Sequence, residues 1–383
     1  MTRITNCRFA FFALCLFFVL TVAPGATKAE ERRILPFPSK QRVEVAFVLD
    51  TTGSMAHLID GAKKKIWSIA NTIVDQNPDA ELYFGLVGYR DLGDDYVTKK
   101  FPLTTDLQSI YAALLAFQAD GGGDTPESVN EALDVAVNQL DWSDKRQEKA
   151  SRILFLVGDS PPHMDYKQDK KYPEVIREAV AKGILVNTVQ AGDMQSTKHI
   201  WQEMAQLGHG QYYAIPQDGG QVIIIATPYD DRIHVLQLEL NKTVIPYGSK
   251  ISQEKASYKT RMYEAASAPA AAEMSAYVNK SGKGGKVITG GGDLVDAVND
   301  GKAKLADLPK EDLPPVMREM SIAEQEKYVA SQNAAREKVS KELGALVIER
   351  DKYIQQQSAK EPAKTDSFDR AVKDTLKRQI SAE

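Results

Sequence analysis

Asp50, Thr52 and Ser54 stand two apart in a short turn, Asp50-Thr51-Thr52-Gly53-Ser54, at the end of an apolar run over residues 43–49. That spacing lets one carboxylate and two hydroxyls converge on a single point. With no Cys or His among them, the set suits a hard, oxygen-preferring cation such as Mg²⁺ or Mn²⁺. A helical pattern begins at Met55. A buried strand that stops at a carboxylate and turns on glycine into a helix puts these oxygens at the carboxyl end of a parallel strand. Open α/β sheets bind ligands along that edge. Helix capping and loop bonding are the plainer uses of the same groups, and one turn does not separate the two.

Two further segments bear on the choice. Gly121-Gly122-Gly123-Asp124-Thr125-Pro126-Glu127 is a glycine-rich loop leading into a helix, and the apolar run 153–157 ends in Gly158-Asp159-Ser160-Pro161-Pro162. Asp-x-Thr-x-Ser, a Thr in a glycine-rich loop and an Asp closing a later strand together resemble the metal-ion-dependent adhesion site of von Willebrand factor A domains. Thr52 stands where that motif usually has its middle Ser, and keeps the hydroxyl. The resemblance spans residues 43–227, and segments 89–91 and 158–166 resemble bacterial exported members.

The resemblance implies a metal set of Asp50, Thr52, Ser54, Thr125 and Asp159, with the hydroxyls on the ion directly and the carboxylates often acting through water. Neutral hydroxyls leave the ion electrophilic, so a Glu or Asp of a partner protein is its natural further ligand. Tyr89, Arg90, Asp124 and His163 are candidates for the rim around that ligand. Arg90 would either steer acidic ligands or pair with Asp91 or Asp94. Asp124 would orient its loop or accept a structural hydrogen bond, and His163 would contact ligand or remain solvated.

Composition narrows the field. With 52 acidic and 48 basic residues in 383, nothing suggests a basic nucleic-acid surface. Residues 1–29 read as a secretory signal: Arg3 and Arg8, an apolar run over 9–22, then small residues at 27–29. That run is shorter than the roughly 20 residues of a spanning helix, so cleavage rather than retention is expected, leaving no membrane span. Without Arg3, Arg8 and Lys28 the formal charge of −4 becomes −7. Cys7 and Cys15 both lie in this signal, so the exported chain would hold no disulfide, thiolate zinc site or thiol nucleophile.

The five histidines form no His-Glu-x-x-His pattern, 282–286 is not a phosphate-binding loop, and no Gly-x-Ser-x-Gly elbow occurs. The chain is therefore expected not to be an enzyme.

The elements that must position these residues follow from periodicity. A linker is expected over 30–42. Strands are expected at 43–49, 82–89, 97–103 at the sheet edge, 151–157, 185–190 and 211–215. Helices are expected at 57–77, 106–119, 127–140 (capped by Thr125, with Pro126 in its first turn), 173–182 and 197–207, and a short one at 219–226. Such alternation gives an α/β, doubly wound, mainly parallel sheet covered on both faces. Residues 228–383 change to a mostly α-helical composition. Ser321 and Glu324 match a capping box at the head of a long charged helix near 321–357. Its stripe of Val339, Leu343, Leu346 and Tyr353 is expected to pack, coiled-coil fashion, on 229–244 of the same chain; self-association through these helices is the alternative. Gly290–Asp293 reads as a turn into a helix, and the tail from Lys360 as loosely held or docked only by Phe368 and Leu376.

The reading is a secreted or periplasmic protein-binding module of adhesion type. The rivals are an accessory or assembly factor for an exported enzyme, and a scaffold whose metal only stabilises the fold.

Overall fold

The first strand, β1 (Arg42–Asp50), is buried along almost its whole length, as a parallel strand covered on both faces must be. The computed structural model describes residues 41–146, 149–217, 225–281, 291–360 and 368–381. β1 lies between β2 (Glu81–Tyr89) and β4 (Ala150–Gly158), both parallel to it. β3 (Thr98–Thr104) runs antiparallel along the β2 edge, and β5 (Ile184–Ala191) and β6 (His209–Ile215) continue the parallel sheet beyond β4. The order is β3-β2-β1-β4-β5-β6. Chain direction across the sheet reverses between β1 and β4, which makes the gap beyond their carboxyl ends the topological switch point.

Alternation along β1 divides the core. Val43, Val45, Phe47 and Leu49 face one side with α1 (Ala56–Gln76) and α2 (Leu107–Ala116). Ala46 and Val48 face the other, with α3 (Val129–Asn138), α4 (Tyr172–Ala181) and α5 (Gln195–Leu207). The other acid of β1, Glu44, is buried at the opposite end from Asp50. It is matched there by Arg152 at 3.5 Å and by the Ser143 amide at 3.0 Å.

Several expected boundaries are corrected. α3 starts at Val129 with Ser128 at its cap, not at 127 behind Thr125. The Glu127 amide is bonded to the Pro161 carbonyl and the Ser128 amide to that of Arg90, so residues 127 and 128 are committed to neighbouring loops before the helix can begin. α2 ends at Ala116, because Phe117 leaves the helix and packs where a methyl on Gly88 would overlap its ring. Leu115 of that helix is exposed.

The remaining chain is helical. α6 (Asp230–Asn241), α8 (Ala268–Lys280) and α10 (Ile322–Lys360) share an apolar seam of Ile233, Leu236, Ala272, Ala276, Leu343 and Val347. The long helix thus packs on the 229–244 stretch of its own chain, and the Tyr229 and Tyr353 rings meet edge-on at 6.4 Å. Ser321 and Glu324 form the reciprocal cap at its head. α7 (Lys250–Ala265) joins α6 to α8, and α9 (Leu294–Asn299) is capped by the Asp293 carboxylate. Arg350 is buried among Asp230 at 2.8 Å and Glu273 at 3.0 Å.

The tail is held more firmly than its sequence suggests. α11 (Phe368–Ser381) buries Val372, Leu376 and Ile380 in the α1 side of the core, and Thr375 bonds to the Tyr213 hydroxyl on β6. Most of the expected helix at 219–226, most of the glycine-rich 282–292 stretch, the signal and most of the linker lie outside the described residues. Among the described residues no helix is long and apolar enough to cross a membrane.

Candidate functional site

Asp50 closes β1 at the switch point and is fully buried. Its Oδ1 accepts from the Thr52 amide at 2.9 Å and from Thr52 Oγ1 at 2.7 Å; Thr52 Oγ1 in turn lies 3.2 Å from Ser54 Oγ. The residue-two-on bond is the local turn an Asp favours over continued strand. The glycine-rich loop is laced to this turn: Gly53 N–H donates to the Gly121 carbonyl at 3.2 Å, and Asp120 N–H to that of Thr51 at 3.2 Å. Gly121 and Gly122 both have positive φ, 76° and 71°. A methyl on Gly121 would overlap the Asp94 carboxylate, and one on Gly122 would lie 2.8 Å from Thr52 Cβ and 2.9 Å from Glu127 Oε1. Only glycine fits such an approach.

Asp159 follows β4 and reaches the same edge. Ser160 Oγ donates to its Oδ1 at 3.2 Å, Gln217 Nε2 to its Oδ2 at 2.7 Å, and Thr197 Oγ1 to its carbonyl at 2.9 Å. Gly158 leaves room for the centre. A methyl there would overlap the Tyr89 hydroxyl and stand 3.0 Å from Asp50 Oδ2.

The edge is strongly acidic. Burial first, and the Asp159 charge second, push Asp50 up to about 7. Burial, then Asp50, Asp91, Asp94 and Asp159, push Glu127 up to about 9. Burial and the Asp50 charge drive the Tyr89 hydroxyl well above its usual range. Glu127 Oε2 is buried with no hydrogen-bond partner among the described residues, and Asp50 Oδ2 makes no bond of standard geometry there, with the Tyr89 hydroxyl and the Asp159 amide beside its carboxylate. Buried acids that repel one another, with acceptor oxygens unspent, favour a cation among them. Among the described residues no three His, Cys, Asp or Glu side chains are grouped as a metal cage. The set here is two carboxylates with hydroxyls, a donor chemistry that fits Mg²⁺ or Mn²⁺.

Asp50, Thr52, Ser54 and Asp159 are thus brought to one edge. Thr125 lies exposed in the adjoining loop, and among the described residues no hydrogen bond ties its side chain to the other four. Asp124 is exposed beside it. The other three candidates for the rim do not form one. Tyr89 is fully buried and lies beneath the site. Arg90 is buried, bonded to the Gln118 carbonyl at 2.8 Å, set against the Tyr96 ring, and 3.9 Å from Asp95 rather than paired to Asp91 or Asp94. His163 is buried too, stacked on Tyr166 with ring centroids 3.8 Å apart and held by Asp165 at 2.8 Å.

Two residues at the edge escape sequence reasoning. Glu127 closes the same glycine-rich segment as Thr125, which is its only signal. Gln217 has none, since it arrives 58 positions after Asp159 through the pairing of β6 with β5.

A doubly wound sheet with an oxygen-rich switch point defines a class of ligand-binding α/β domain. Residues 44–227 match the family model of the von Willebrand factor A domain, which supports a domain of that kind over that span. Among curated relatives, von Willebrand factor A domain-containing protein 7 of Mus musculus is 38% identical over 166 residues, covering 36% of this chain and 18% of that protein. A putative ariadne-like RING finger protein of Acanthamoeba polyphaga mimivirus is 23% identical over 162 residues, covering 41% of this chain and 15% of the relative. The chain therefore spans less than a fifth of the length of either. Similar solved structures include the SpRpn10 VWA domain, at 14% identity and TM-score 0.35, covering 45% of this chain and 88% of that one. Proximal thread matrix protein 1 from the mussel byssus aligns at 15% identity and TM-score 0.34, covering 47% and 43%.

Proposed function

We propose that the domain is a metal-dependent protein-binding module of adhesion type, exported, with no catalytic role. Asp50, Thr52, Ser54, Thr125 and Asp159 would hold Mg²⁺ or Mn²⁺. The ion would supply a Lewis-acidic centre for a Glu or Asp carboxylate of a partner protein. The observation that carries this is the fully buried Asp50 carboxylate set against Asp159 at the switch point of the sheet, its Oδ2 making no hydrogen bond of standard geometry among the described residues. The side chains divide the work. Asp50 fixes Thr52 through two bonds to Oδ1, so the Thr52 hydroxyl hydrogen is spent inward and its oxygen stays free to accept. Gly121 and Gly122 let the loop that carries Thr125 close on the turn. Asp159 brings the second charge from the far side of the switch point. Export rests on the amino-terminal signal pattern.

The test is capture of partners from an envelope fraction by wild type and Asp159→Ala, each with and without EDTA. Capture lost on chelation and in the variant supports the reading. Capture that survives both refutes it and moves the contact to the helical region. A cation-dependent rise in Tm with capture unchanged by EDTA would leave a scaffold with a structural ion.

A further inference from the structure

The geometry points to Gln217 as the positioning residue for Asp159, a role that rests on the cation reading above. Gln217 Nε2 donates to Asp159 Oδ2 at 2.7 Å and stands 3.5 Å from the Ser54 carbonyl oxygen. One amide thus reaches from the end of β6 to the β4 carboxylate and to the β1 turn. Its far side is fixed as well. Gly192 has φ 76°, and a methyl there would overlap Gln217 Oε1, so the missing side chain is the notch in which the amide lies. Gly192 N–H donates to the Ile215 carbonyl at 2.9 Å, which locks that notch to the strand end carrying Gln217.

The chemistry of the donor matters more than its presence. Asp159 faces Asp50 across the switch point, and among the described residues neither acid has a basic partner. A Lys or Arg at 217 would orient Asp159 and cancel its charge, and so compete with a cation. A neutral amide orients the carboxylate and leaves its charge for the ion. Partners that hold a ligating carboxylate in this way typically change metal affinity by about 10–100-fold when removed. Because Gln217 is itself exposed, replacing it removes little buried surface.

The experiment is Mn²⁺ titration of the full chain followed by the electron-spin-resonance signal of free Mn²⁺, with Tm of the cation-free protein measured alongside. Wild type is compared with Gln217→Met, which keeps length and volume but has no N–H. About tenfold weaker Mn²⁺ binding, with cation-free Tm unchanged, is expected. Unchanged affinity in Gln217→Met beside binding in wild type overturns the positioning role and leaves the site reading intact, and a fall in Tm without a fall in affinity overturns it equally. Failure of wild type itself to bind Mn²⁺ removes the site reading and this role with it.

Discussion

Thr52 Oγ1 donates to Asp50 Oδ1 over 2.7 Å, and the same Asp50 oxygen also holds the Thr52 amide. The threonine is thereby oriented by the acid it would share an ion with. Thr52→Val keeps the shape, removes the hydroxyl and leaves Asp50 short of a donor. Mn²⁺ affinity should fall by at least tenfold, while Thr52→Ser should bind within a few-fold of wild type. Calorimetric titration of the two variants checks this, and equal binding by Val and Ser would dismiss Thr52 as a ligand.

Gly158 carries a packing prediction. A methyl there would overlap the Tyr89 hydroxyl and approach Asp50 Oδ2 to 3.0 Å in a fully buried region. Gly158→Ala should cost about 1–3 kcal/mol in urea unfolding, as overpacking does. Tyr89→Phe in the same chain removes the overlapping oxygen and should recover part of that loss. No recovery in the double variant would mean that the strain lies elsewhere.

The acidic edge makes cation-free stability depend on pH in an unusual direction. Asp50 and Glu127 have folded-state values of about 7 and about 9, above the ordinary carboxylate range, so the folded protein holds their protons where the unfolded chain has lost them. Stability is therefore greatest below the unfolded values. It falls as pH rises, through about 7 for Asp50 and about 9 for Glu127, and levels off above, with a slope of at most about 1.4 kcal/mol per pH unit for each such proton. Cation affinity runs the other way and should rise over the same window, because ion and proton compete. Cation-free urea melts between pH 5 and 9 check the sign. A shallower slope in Asp50→Asn and in Glu127→Gln would assign each its share, and a slope undiminished in the double variant would refute the assignment.

The helical region has its own weak point at Arg350. It is buried between Asp230 and Glu273, and Arg350→Met would leave both acids without their cation. Stripping one partner from a buried ionic group typically costs about 3–5 kcal/mol. A thermal melt should show this loss, and an unchanged Tm would mean that the pair adds nothing to the fold.

Much of this was legible in the sequence. Apolar runs of strand length that stop at Asp50 and Asp159 announce parallel strands and their carboxyl ends, since the type and length of a run survive translation into structure. The stripe on α10 found its partner on α6 because periodicity of 3.6 is kept along the helix. What the sequence hid depends on contacts between distant loops. The start of α3 is delayed by bonds from residues 127 and 128 to Pro161 and Arg90. Arg90 and His163, polar residues next to a candidate site, are buried by neighbours that no local pattern reveals. Val372 and Ile380 in α11 are ordinary apolar residues in a charged tail, and only the open side of the α1 face gives them a place to dock.

Isothermal titration of the full chain with Mn²⁺ and Mg²⁺ decides whether the switch point between Asp50 and Asp159 binds a divalent cation. One ion per chain is expected in wild type, and no measurable heat of binding in Asp50→Ala at equal protein concentration. Equal binding in the two proteins, or none in wild type, would contradict it.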